Sequence, residues 1–546
     1  MTVTEDAPAA APAVSQPTAT TPAGTGLAAT LGTGDHKVIG RIWLAASLLH
    51  LVIAGAAALF VAVLRIDPAD LDNDFFAQAV TLRSIGGAFL FLLPLTIGIA
   101  TLVVPLQVGA YTIAFPRAAA AAAWTYLLAG GLIIGAYAID GGPFGSDTDG
   151  VRLFVVAFLL LVLALAVAWI SIGTTVLALR APGMTLRRAP LFAWSCLVSA
   201  TVWLLILPVL AGMVLVSYVD LRYGGANGFL TGGGAISFYG RISWAFSQPA
   251  VYAFGIPVLG YVGSVVPVFS RTRHQQHRAA LLLIAAYGVF AAGAWAVPAF
   301  NADPMPWLYE APWVGVSFLV LAPVIGLLGL WGLTARTGSP QLASPLIFAV
   351  ASLLMLLAGL AAGAVQAIEP IKTVVDGDGV SLFGTSVTLS VASYIVLAAA
   401  IAAFGGVVYW APKIFGRLVP ENGARLVAAV LLVGTVVLSL PDLISGILGQ
   451  PGFAGTVAPD NTDQIQVLNT ISAIGAGLVA LASAGFVLLV VGALRSKELP
   501  GDDPWAGHTL EWTTSSPPPV GNFASLPEIT SEAPLYDARR PEDVPA

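Results

Sequence analysis

Apolar runs of about twenty or more residues recur from Arg41 onward, and no other feature of the chain constrains its fold as strongly. A run of that length is what an α-helix needs to cross a hydrocarbon core roughly 30 Å thick. Twelve can be counted, at 42–66, 85–108, 120–139, 153–179, 190–217, 242–269, 279–300, 313–335, 344–367, 385–410, 426–449 and 469–494. Each must be helical, because lipid offers the backbone no hydrogen-bond partner and no barrel-like alternation is present. The prediction is an all-α integral membrane protein with twelve transmembrane helices. Composition agrees: 57% of the 546 residues are hydrophobic and 10% charged, against about 25% charged in soluble chains. That excludes a soluble enzyme, a disordered protein and a nucleic-acid binder, and makes the lipid bilayer the first partner.

Three regions follow. Residues 1–34 are rich in Ala, Pro and Thr and lack a positive n-region and an apolar core, so they read as a disordered tail, not a signal peptide. Residues 35–497 form the membrane domain, and 498–546 a polar, Pro-rich soluble tail. Basic residues gather beside alternate connections: Arg117; Arg180, Arg187 and Arg188; Arg271, Arg273 and Arg278; Arg336; Lys413, Arg417 and Arg425. The intervening loops are acidic, with Asp67, Asp70, Asp72 and Asp74 in the first. The positive-inside rule then places both termini in the cytoplasm, and the chain suits a bacterial plasma membrane. Solvated loops that set orientation explain these charges; an acidic outer face could also steer a basic partner such as a small cytochrome.

Little inside the spans is ionisable, although transporters use such groups at mid-membrane. His50 is the only histidine well inside a span, and a lone histidine there is more often a packing residue than a ligand. Arg83 and Arg241 stand near span starts, where snorkelling is the ordinary explanation. The other histidines are His36, His274, His277 and His508, and the single cysteine, Cys196, excludes a disulfide framework.

Several strings carry a resemblance. They are Asp35-His36-Lys37-x-Ile39-Gly40 before the first span, Gly109-Ala110 with Ala114-Phe115-Pro116-Arg117, and Arg180-Ala181-Pro182-Gly183-Met184-Thr185 with Pro190-Leu191-Phe192-x-Trp194. Leu207-Pro208-Val209-Leu210-Ala211-Gly212, Trp410-x-Pro412-Lys413-x-Phe415-Gly416-Arg417 and the tail string Thr509-Leu510-Glu511-Trp512-Thr513 follow in order. With them the chain resembles subunit I of the haem–copper terminal oxidases, of the cytochrome c oxidase type, over roughly residues 35–530. The resemblance implies a twelve-helix bundle around two haems and a copper held by six histidines. It also implies respiratory-chain membership beside other oxidase subunits.

Carried over position by position, that ligand set is missing. Arg83 stands eleven residues before Pro94, where the family has the first low-spin haem ligand. The other two haem-ligand positions, counted back from Trp410, hold Ser390 and Ala392. The copper positions hold Gln248, Val297 and Pro298, while the family tyrosine is kept at Tyr252. Proton-route positions hold Thr112, Ala250 and Leu327, propionate-anchor positions Asp442 and Leu443, and the magnesium-site pair Leu382 and Phe383. Arginine stays protonated in proteins and cannot ligate iron. Met213, Met305 and Met355 fall on no ligand position and read as core filler.

The expectation is therefore a redox-inactive paralogue without haem, copper or catalytic residues, acting as scaffold, assembly or accessory subunit. One alternative is an active terminal oxidase with non-standard ligation, reducing oxygen and pumping protons. Another is a transporter of small molecules or lipid in the vacated haem spaces. Empty space costs roughly 24 cal/mol per Å³, so a scaffold should refill those spaces with apolar bulk, whereas a binding protein should keep them open. An arginine at position 83 would be severe deep in a dry core unless paired or exposed, so it is expected near the outer surface.

Overall fold

The computed structural model describes residues 31–66, 73–223, 239, 242–245, 250–293, 307–367, 372–375, 378–452, 462–497 and 499–540. The order of elements is α1 (His36–Leu64), α2 (Asn73–Ile85), a π-helical segment (Gly86–Leu92), α3 (Leu93–Gln107), α4 (Pro116–Ala138), α5 (Thr148–Ala178) and α6 (Leu191–Tyr223). Two 3-10 segments, Ser243–Ala245 and Ala250–Phe254, lead into α7 (Gly255–Ser270), α8 (His277–Gly293), α9 (Trp307–Leu319), α10 (Leu321–Thr337) and α11 (Ser344–Gln366). A hairpin of β1 (Lys372–Val375) and β2 (Asp378–Ser381), with Lys372 opposite Ser381, precedes α12 (Ser386–Phe415). Then come α13 (Glu421–Ile447), α14 (Thr462–Arg495) and the short α15 (Pro534–Arg539).

Among the described residues, eleven helical stretches are long and apolar enough to cross a bilayer. They coincide with eleven of the twelve expected runs. The remaining run, 279–300, is described only as α8, and its last residues lie outside the described ones. Side chains such as Leu205, Leu282 and Leu488 stay largely exposed, which suits a surface facing acyl chains instead of water.

Small residues allow a close crossing of α1 and α3. A Cβ on Gly40 of α1 would meet Leu102 Cγ at 2.4 Å, and one on Gly98 would meet Trp43 Cβ at 3.0 Å. Two glycines thus let α1 and α3 approach backbone to backbone, the usual device where lipid removes any hydrophobic drive for association. Helix starts carry their own caps: Asp147 Oδ1 accepts from Gly150 N at 2.6 Å at the head of α5.

The tail beyond α14 packs across one end of the bundle. Asn522 donates through Nδ2 to Ala110 O and Tyr111 O, and its Oδ1 receives Lys37 Nζ at 3.2 Å. Glu511 lies beneath it, fully buried, taking Gln107 Nε2 at 2.9 Å and Trp410 Nε1 at 3.2 Å. Arg188 reaches Ile529 O, Arg273 pairs with Asp537, and Arg539 pairs with Asp503. The basic loops after α3, α5 and α7, the start of α1 and the C-terminal tail therefore share one end of the molecule. Residues 499–540 are a folded cap, and a purely solvated extension does not describe them.

Candidate functional site

A cavity of about 150 Å³ opens between α1, α2, α12, α13 and α14. Helical periodicity explains its walls. Leu389, Ala392, Ser393, Val396, Leu397 and Ala400 recur at three- and four-residue steps along one face of α12. Arg83 and Ser84 of α2 face them, and the π-helical segment then turns Gly87 and Phe91 into the same space. Such π segments inside helices are frequent at functional sites.

Arg83 is half-buried and lines this cavity, with Nη2 donating to Ser393 Oγ at 2.8 Å. Its hydrogen-bond partner is a neutral hydroxyl. Ala392, one of the two haem-ligand positions carried over to α12, lies on the same cavity wall. Two of the three sequence-predicted haem positions are thus brought together across one space. Ser390 is not among the lining residues; it is buried and donates to Ser439 O on α13 at 2.6 Å. Small side chains (Ala54, Gly55, Ala58, Ala476 and Ala480) share the rest of the wall with bulky ones, among them Leu51, Phe91, Ile401, Phe404, Leu431 and Leu438. The expected refilling by apolar bulk is incomplete here, and the space stays open.

A low-spin haem does not fit these residues. It needs a neutral nitrogen or thioether donor on each side of the iron, and the wall offers a protonated guanidinium and a methyl group. No histidine of the chain lines the cavity. His50 Nδ1 lies 2.9 Å from Tyr126 Oη, whose own proton goes to Leu90 O at 2.6 Å, so the imidazole is the donor in that contact. His36 sits between Thr101 O and Asn522 Oδ1, and His277 Nε2 meets Ala189 O. His274 and His508 belong to the cap region.

Near the cavity, Asp442 is fully buried and bound to Arg65 Nη1 at 3.0 Å, with Ser472 Oγ on the same oxygen at 2.9 Å. Arg65 is held further by Gln450 Oε1, and Asn469 Nδ2 reaches its carbonyl. The position carried over as a propionate anchor therefore holds the acid of a buried ion pair. Its neighbour Leu443 is partly buried against the core.

The remaining positions scatter. Tyr252 is fully buried, its hydroxyl running so close to Gly363 that a Cβ there would stand 2.1 Å away, and its carbonyl accepts from Tyr287 Oη at 2.9 Å. Ala250 and Leu327 are fully buried, Leu382 is buried, and Thr112 donates to Gly34 O at 3.1 Å in a loop. Gln248, Val297 and Pro298 lie outside the described residues. The open cavity is what the small-molecule or lipid alternative required, and the small residues of Ala54-Gly55 and Gly86-Gly87-Ala88 in otherwise bulky spans are a sequence signal for it. Sequence reasoning missed the Arg65–Asp442 pair and the folded cap.

Residues 38–478 match the family described as "Cytochrome C and Quinol oxidase polypeptide I". A cytochrome c oxidase subunit 1 from Synechocystis sp. is 30% identical over 511 residues, covering 91% of this chain and 90% of that one. The cytochrome c oxidase subunit 1 of Thermostichus vulcanus is 27% identical over 530 residues, covering 93% of each. A haem–copper terminal oxidase dimer solved by cryo-EM shares the fold, with a TM-score of 0.64 at 15% identity over 84% of this chain and 85% of that chain.

Proposed function

Because the chain belongs to the cytochrome c and quinol oxidase polypeptide I family, we propose that it is an integral membrane subunit of the respiratory-chain kind that has given up redox catalysis. The observation that carries this reading is the facing pair of Arg83, bound to Ser393, and Ala392. Neither side can donate to iron. The copper-ligand positions Gln248, Val297 and Pro298 agree with it in sequence.

The role that fits is scaffold, assembly or accessory subunit beside a catalytic oxidase. In this reading the bundle has twelve spans in a bacterial plasma membrane. The end bearing the basic loops, the start of α1 and the folded cap faces the cytoplasm, where positive charge is favoured. The membrane domain runs over 35–497, preceded by the 1–34 tail and followed by the cytoplasmic 498–546 segment.

The test is a reduced-minus-oxidised spectrum with metal analysis on protein purified in detergent. The expected result is no stoichiometric haem or copper intrinsic to this chain, with other oxidase subunits recovered in the same complex. A haem signal at one or more per chain overturns the proposal.

A further inference from the structure

Among the described residues the charge at the cavity does not balance. Of these, Asp442 and Arg65 are the charged groups that act on Arg83, and the carboxylate is already bonded to Arg65. Two guanidiniums and one carboxylate leave a net charge of about +1 beside an apolar space within the spans. An ionised group there is costly unless it meets an opposite charge, and such groups mark ligand sites by default. Among the described residues the hydrogen-bond partner of Arg83 is the hydroxyl of Ser393, which carries none.

The shape of the cavity points the same way. Alanine and glycine of α1, the π-helical segment, α12 and α14 stand in its walls among leucine, isoleucine and phenylalanine, and about 150 Å³ stays open. An apolar cavity of that order receives a benzene-sized guest. The space therefore suits a head group and a short run of methylenes. A guanidinium presents parallel N–H donors matched to two oxygens of a carboxylate or phosphate.

We propose that this cavity binds an amphiphile with an anionic head, its carboxylate or phosphate monoester held by Arg83 and the first methylenes of its chain by the apolar residues of α1, α12 and α14. The inference goes beyond the accessory role and does not depend on which subunits the protein joins.

Equilibrium dialysis of labelled octanoate against the full chain in nanodiscs, with empty nanodiscs subtracted, tests it. Octyl phosphate and 1-octanol serve as comparison probes. The expected result is saturable binding of one octanoate or one octyl phosphate per chain, the tighter of the two identifying the head group. Affinity should climb roughly fourfold per methylene from butanoate and level off once the cavity is full. Arg83→Met should weaken the anions at least tenfold and leave 1-octanol unchanged. Ala392→Phe, which fills the space and keeps the charge, should weaken all three probes, and it decides the question even if Arg83→Met does not fold. Absence of saturable binding, or equal binding of 1-octanol and octanoate by the unmodified chain, overturns the inference. A haem-free preparation that ignores octanoate would do so while leaving the accessory role intact.

Discussion

Glu511 is a carboxylate under the cap with no exposed surface; two donors converge on Oε1, while Oε2 has no partner among the described residues. Burial pushes its pKa above the ordinary value of 4.5. A raised carboxylate favours the folded state when protonated, so its contribution is complete below about 4.5 and is lost as pH rises through the folded value. Glu511→Gln keeps the acceptor and removes the charge. Its melting temperature in detergent should match or exceed that of the unmodified protein at pH 8, and the gap should close towards pH 5. Glu511→Ala instead strands Gln107 and Trp410, at about 1–3 kcal/mol for each buried donor. The Arg65–Asp442 pair gives the opposite case. Asp442→Asn leaves a buried guanidinium unpaired and should cost about 3–5 kcal/mol. Arg65→Met with Asp442→Leu should recover most of that loss in the same melting assay. Neither arrangement was legible in sequence, since both partners come from segments hundreds of residues apart that periodicity cannot bring together.

Hydropathy located the spans well because a long apolar run and a membrane helix share one physical cause. It placed their ends less well. The run starting at 85 belongs to a helical stretch that begins at Asn73, because Asn73, Asp74, Gln78 and Arg83 make its first turns polar. Similarly, α14 begins at Thr462, seven residues before the apolar run, in a stretch holding Asp463, Gln464, Gln466 and Asn469. Packing within α14 is sharper than any hydropathy profile. A Cβ on Gly475 would meet Leu438 N at 2.2 Å and Val437 C at 2.5 Å, whereas Gly477 has nothing within 4 Å. Backbone atoms cannot step aside, so Gly475→Ala must part α13 from α14 and should cost about 1–3 kcal/mol. Two residues along, Gly477→Ala should stabilise by about 0.5–1 kcal/mol through helix propensity alone. Melting temperatures of the two variants in one detergent should move in opposite directions. Equal shifts would mean that the crossing of α13 and α14 is not as tight as described.

At the scale of the whole molecule, the cap ties loops from the first half of the bundle to the end of the chain, and its docking is set by buried titratable groups. His508 is buried beside Arg539, Arg540 and Arg273, and its pKa falls to about 3, chiefly through burial. His274, buried beside His277 with Glu532 nearby, falls to about 4 for the same first reason, and neither of its ring nitrogens has a partner among the described residues. A histidine with a depressed pKa supports folding while neutral. The support is complete above about 6.5 and is lost as pH falls towards those values, at about 1.4 kcal/mol per pH unit for each group. Glu511 titrates in the opposite sense, its contribution declining from about 4.5 upward, so it offsets part of the histidine limb. Limited proteolysis of the tail across pH 4.5 to 9 would read this directly, with a protease active throughout. Protection should fall as pH drops below about 6.5. His274→Leu should make that acid limb shallower, with His508 carrying the remainder. Glu511→Gln should make it steeper, because the opposing carboxylate is gone. Opposite changes from residues on different segments separate docking chemistry from general unfolding. The same change in both variants would show instead that the cap opens with the bundle, as one cooperative unit.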